Sequence, residues 1–150
     1  MKSTNVKHQT SNIKLSILPI ADDGYHLQMR ITLNGKKANV IIDTGASRTV
    51  FDTTRIKKFV KTKAEKIKDK LSTGLGTSTM KSHEVEIKTL GIGKLKIKNY
   101  KTVLLDLSHV NNSYKQIKIK PIDGVLGSDI LKKHKAVIDY AKRKLLLKSV

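Results

Sequence analysis

Asp43 stands at the end of an apolar run, Val40-Ile41-Ile42, and opens the short turn Thr44-Gly45-Ala46-Ser47. A carboxylate carried by a buried strand into a glycine-bearing turn is placed for proton transfer to a bound reactant. Carboxylates alone hydrolyse an amide only in pairs. One, ionised, takes a proton from water; the other, protonated, gives one to the carbonyl oxygen. Two carboxyls within hydrogen-bonding distance cannot both ionise cheaply, so they share one proton and titrate as a unit. The chain thus shows one half of a known kind of chemistry, and the second carboxylate has to be found. Other chemistries are poorly served. There are no cysteines, and the five histidines (His8, His26, His83, His109 and His134) show no close metal-ligand spacing. No metal or cofactor is called for.

The elements that would hold Asp43 are short strands. Leu27, Met29, Ile31 and Leu33 alternate with polar neighbours, Asn34-Gly35 supplies a two-residue turn, and Lys36 to Ile42 returns as the partner strand that delivers Asp43 at its tip. The segment "RTVFD" resumes as a strand, and "TTRIKKFV" reads as a short helix. "KLSTGLGTSTMKSHEVEI" reads as a hairpin with Gly74-Leu75-Gly76 at its tip, where glycine lets a backbone approach a ligand closely. Two more strands follow around turns near Gly91, Gly93 and Asn99, and residues 108–115 read as a polar loop. In "QIKIKPI" (116–122), as in "KLKIK" (94–98), lysines alternate with aliphatic residues in the manner of a strand with one solvated face. Ser128 is placed to cap a helix of about two turns through His134, and the last residues form a closing hairpin. Strands do not alternate with long helices, so a parallel α/β sheet is not expected. The expected architecture is mostly β: a compact antiparallel barrel with one or two short helices, residues 1–12 forming a flexible polar N-terminus and residues 13–150 one domain.

The chain of 150 residues carries a net charge of +19, which invites a nucleic-acid reading. The distribution argues against a dedicated site. Lysines mostly alternate along strands, and the densest run, Arg55 to Lys70, contains no aromatic residue between Lys61 and Lys70 to stack on a base. There is no apolar run long enough to span a membrane and no secretory leader in this chain. The expected compartment is cytoplasmic, with the sequence itself leaving it open.

The order of "VIIDTGAS", the glycine-bearing hairpin around "TGLGT" and "GVLGSDIL" (124–131) resembles the retropepsin-like aspartic proteases, the single-lobe relatives of pepsin that include the retroviral enzymes. The resemblance organises the segment from about Leu27 to Leu147 and implies an acid-protease-like barrel with one lobe per chain. It makes Asp43 the catalytic carboxylate, with Thr44 locking the turn to that of a partner and Gly45 keeping the turn tight and open to substrate. It puts Ala46 and Ser47 in the substrate cleft and makes Gly74, Leu75 and Gly76 the flap. Gly127, Asp129 and Ile130 become the second signature, in which Gly127 threads behind the catalytic turn and Asp129 supports the helix. Leu75 and Ile130 are expected to line apolar pockets beside the cut. Ala46 stands where pepsin-like enzymes often carry serine, and Ser47 where many retroviral relatives carry an acid.

Pepsin-like chains carry two such turns; this one carries one. Asp52-Thr53-Thr54 lacks the glycine, Asp22, Asp23, Asp106 and Asp139 lack the turn, and Asp123-Gly124 lacks the preceding strand tip. The second carboxylate is therefore expected from Asp43 of another copy, across a two-fold axis. The expected function is an aspartic endopeptidase, active as a homodimer on extended polypeptides. A catalytically silent dimerisation or peptide-binding module, and a basic nucleic-acid-binding protein, are the competing classes.

Overall fold

The computed structural model describes residues 9–61, 70–72 and 80–150. The hairpin signal at Asn34-Gly35 is realised as read. Strands β3 (Tyr25–Leu33) and β4 (Lys36–Ile42) pair antiparallel around a turn in which both residues take positive φ, 51° at Asn34 and 84° at Gly35. That geometry matches the right-handed twist of the flanking strands. The alternation in β3 buries Leu27, Met29, Ile31 and Leu33 on one face, each worth roughly 1.5–3 kcal/mol against exposure.

Six strands close a barrel. Its order is β3, β4, β9 (Gly124–Leu126), β5 (Val50–Asp52), β8 (Leu95–Leu105), β7 (Met80–Ile92) and back to β3. Strand β2 (Ser16–Pro19) flanks β3, and β6 (Lys70–Ser72) pairs with β7 as the base of a hairpin. Gly74, Leu75 and Gly76, expected at a hairpin tip, lie outside the described residues. A separate three-stranded sheet sets β11 (Lys144–Lys148) between β1 (Thr10–Lys14) and β10 (Val137–Asp139). Strand β1 takes in Thr10 to Asn12, paired with Lys148 to Leu146. Most pairings are antiparallel, but β4 with β9 and β5 with β8 run parallel.

Two segments depart from the sequence reading. Residues 108–115 are not a loop: helix α1 spans Ser108–Gln116. Its composition is polar, yet Val110 and Tyr114 follow Leu107 at helical spacing and turn onto a second apolar cluster with Ile41, Ile122 and Val125. Residues 116–122 do not form a strand. Lys118 takes φ 61°, which breaks any ladder, and Ile117 is 44% exposed while Ile122 is fully buried. The short helix after "TT" appears as a 3-10 turn at Arg55–Lys58. Helix α2 spans Ser128–Lys133; Gly127 rather than Ser128 occupies its cap position. Among the described residues no helix is long and apolar enough to cross a membrane.

Candidate active site

Strand β9 runs between β4 and β5, the two arms that lead into and out of the 43–49 turn. Val40, Ile41 and Ile42 face Gly124, Val125 and Leu126 in parallel register, and the Asp43 N–H donates to the Leu126 carbonyl at 3.0 Å. On the other arm, Val50 and Phe51 pair with Val125 and Gly124. The turn therefore straddles the end of β9, and this close crossing fixes which residues fit. A Cβ on Gly124 would stand 2.4 Å from the Phe51 ring, and one on Gly127 would stand 2.6 Å from the backbone of Arg48. Backbone cannot yield as a flexible side chain can, so Gly127 is required by space.

Within the turn, the Ala46 N–H donates to the Asp43 carbonyl at 3.1 Å and the Gly45 N–H to Asp43 Oδ1 at 2.9 Å. The second bond fixes the orientation of the carboxylate. Asp43, Thr44 and Gly45 are exposed, so the carboxylate is presented at the surface of this chain. Ala46 is half-buried against the second apolar cluster. Ser47 is exposed, and its carbonyl accepts from Ser128 Oγ at 3.4 Å.

The support beneath the turn was only partly visible in the sequence. Fully buried Thr49 uses both capacities of its hydroxyl, donating to Asp129 Oδ1 at 2.8 Å and accepting from the Gly127 N–H at 2.9 Å. The Thr49 N–H also donates to Asp129 Oδ1 at 2.8 Å, and the Tyr100 hydroxyl donates to Asp129 Oδ2. The Ala46 carbonyl accepts from the Ser128 N–H at 2.7 Å. Asp129 thus does more than support its own helix: it ties α2 to the strand leaving the 43–49 turn. Burial pushes its carboxyl up, but the hydrogen bonds from Tyr100 and Thr49 outweigh this and hold it below the usual carboxylate value. Burial, reinforced by the bond to Asp129, pushes the Tyr100 phenol well above its ordinary value. Ile130 is 3% exposed and packs within the main core of the barrel.

The other aspartates near the turn are engaged structurally. Asp52, buried, accepts from the N–H groups of Thr54, Arg55 and Leu107. Asp123, also buried, accepts from Arg55 Nε at 2.7 Å and from the Asn39 N–H at 2.8 Å. A signal for these roles lay in their position beside apolar strand residues, where an acid must find donors. Among the described residues, no group of three or more His, Cys, Asp or Glu side chains could hold a metal ion.

A single-lobed acid-protease barrel, with one carboxylate raised on a turn that straddles a glycine-bearing strand, is the class that this fold and site define. The family model described as aspartyl protease matches residues 29–130, and the chain belongs to that family. Among solved structures, a retropepsin-like aspartic protease from Rickettsia conorii aligns with a TM-score of 0.59 at 23% identity, over 95% of both chains. The retroviral protease-like domain of Ddi1 from Leishmania major aligns at 0.58 and 14% identity, over 83% of this chain and 90% of that one. The EIAV protease, solved with the inhibitor HBY-793, aligns at 0.50 and 18% identity, over 81% of this chain and 99% of that one. At these identities the likeness establishes the fold. A search of curated proteins finds no match.

Proposed function

We propose that the chain is an aspartic endopeptidase that works as a homodimer, each subunit giving Asp43 to a shared dyad, and that it cleaves extended polypeptides. The observation that carries this reading is the contrast among its carboxylates. Asp43 is exposed at the turn and oriented by the Gly45 N–H, whereas Asp52, Asp123 and Asp129 are committed to buried donors. A second Asp43 brought within hydrogen-bonding distance by a two-fold axis would split the pair into an acid and a base sharing one proton. The ionised member takes a proton from the attacking water while the protonated member donates to the substrate carbonyl oxygen, which neutralises the charge developing on that oxygen as a tetrahedral diol forms. The proton taken from water then passes to the amide nitrogen as the C–N bond breaks, and a diol hydroxyl returns its proton to the other carboxylate as the acid product forms. Thr44, exposed beside Asp43, would bond the partner's turn, and Gly45, Ala46 and Ser47 would offer backbone and hydroxyl groups to a substrate strand. The segment with Gly74, Leu75 and Gly76 would cover that strand and exclude water.

The test is subunit mixing. Wild-type protein is exchanged with excess Asp43→Asn protein, and peptide cleavage is followed per wild-type chain. A mixed dimer holds one carboxylate and one amide and cannot divide the two roles, so activity per wild-type chain falls as the mutant fraction rises. Unchanged activity, with exchange shown by mass, would place both carboxylates in one chain and overturn the dimeric dyad. A folded dimer that cuts nothing in a broad peptide library would make the chain a silent binding module.

A further inference from the structure

Two clefts adjoin on the outer face of the β2–β3–β4 sheet, sharing Arg30 and Asn39. Around the first stand Arg30, Lys36, Lys37, Arg55 and Lys58. Lys14, Lys118 and Lys120 rim the second. The one carboxylate that lines either cleft is Asp123, and Arg55 already neutralises it at 2.7 Å. Lys36 is held on the rim by its ammonium donating to the Lys58 carbonyl at 3.1 Å. Such a collection of like charge costs stability unless something anionic offsets it, and it draws anions by its summed field.

We propose that this groove is a docking site for an acidic, partly apolar segment of a polypeptide substrate, away from the catalytic turn; the proposal rests on the peptidase reading. Three features favour a polypeptide over a nucleic acid. The second cleft has an apolar side in half-buried Leu18 and Ile119. Aliphatic side chains alternating with acids would fill it, whereas a phosphate backbone would not. Neither cleft is lined by an exposed aromatic ring on which a base could stack. Strand β2, whose Ser16 and Leu18 line the second cleft, ends the sheet and pairs on one side with β3 among the described residues. A free strand edge offers N–H and C=O groups to a peptide main chain, and a nucleic acid lacks the matching groups.

The test reads binding by fluorescence anisotropy, independent of cleavage. The probes are a labelled peptide of alternating glutamate and leucine, its glutamine–leucine counterpart, and single-stranded and duplex DNA of equal charge. The acidic peptide is expected to bind, to weaken with added salt, and to outcompete both other classes. Reversing the charge at Lys118 and Lys120 in one variant, and at Arg30 and Lys37 in another, is expected to weaken it by about 10-fold or more each. Either folded variant suffices to decide. DNA bound as tightly as the acidic peptide would overturn the choice of polypeptide. Equal binding of the glutamine peptide, or no loss in a folded variant, would overturn the groove itself. A protein that holds the peptide but cuts nothing refutes the peptidase reading alone, while one that cuts without holding it refutes the groove alone.

Discussion

Replacing Thr49 by valine removes one hydroxyl and keeps the side-chain shape. Two interactions are lost. The bond from Thr49 Oγ1 to the Asp129 carboxylate, at 2.8 Å, involves a charged acceptor and is worth about 1.5–3 kcal/mol. The Gly127 N–H, which donates to the same hydroxyl at 2.9 Å in a buried place, is left without a partner at a cost of about 1–3 kcal/mol. The added methyl returns about 1 kcal/mol of transfer energy. The expected net loss is about 3 kcal/mol, read as a lower urea midpoint at unchanged slope and fixed protein concentration. In a chain of 150 residues this corresponds to a melting temperature lower by roughly 6–12 °C. Thr49→Ser keeps the hydroxyl and should lose only about 1 kcal/mol. Peptidase activity of Thr49→Val should fall further than its folded fraction, since a small displacement of Asp43 spoils alignment with a partner. A stability loss below about 1 kcal/mol, or a serine variant as damaged as the valine one, would refute the claim that this hydroxyl ties the two signatures together.

Tyr100→Phe removes a donor to Asp129, whose depressed pKa contributes stability above the unfolded carboxylate value of 3.8 that is lost as pH falls through the folded value. The stability gap between wild type and variant should be widest near pH 7 and narrow below about pH 4; acid titrations of unfolding that show a constant gap down to about pH 2 would contradict it. Ala46 stands where pepsin-like enzymes often carry a serine hydroxyl, so cleavage is expected to work best at mildly acidic to near-neutral pH; a cleavage maximum below about pH 3 would be the wrong outcome. Each protomer carries +19, so raising salt from very low levels should strengthen dimerisation by screening over about 10 Å at 0.1 M, which sedimentation at several salt concentrations would show. A salt-independent monomer that still cleaves peptides would count against the dimer.

Local signals were legible in the sequence and distant ones were not. Asn34-Gly35 specified its hairpin because the positive φ values it needs belong to those two residues alone. The run from Val40 to Asp43 announced itself by the same logic, apolar strand into glycine turn. Helix α1 was hidden because its Asn and Ser residues favour turns in isolation, and only contact between Tyr114 and its apolar neighbours overrides them. The parallel pairing of β4 with β9 left no local trace, since its register joins residues as far apart as Val40 and Gly124. For that reason Thr49 read as an ordinary strand threonine, while the structure makes it the hinge pin between Gly127 and Asp129.

That same separation sets a clock on the chain during its own synthesis. Thr49 and Asp129 lie 80 residues apart, and the turn that carries Asp43 gains its backing only once both can meet. At about 5–20 residues per second, some 4–16 seconds pass between making the two. Throughout that interval the nascent chain carries Asp43 on an unbraced turn, unable to present it rigidly to a second copy. A site assembled from distant signatures is thereby left incomplete beside the ribosome, and is braced only when most of its barrel can close.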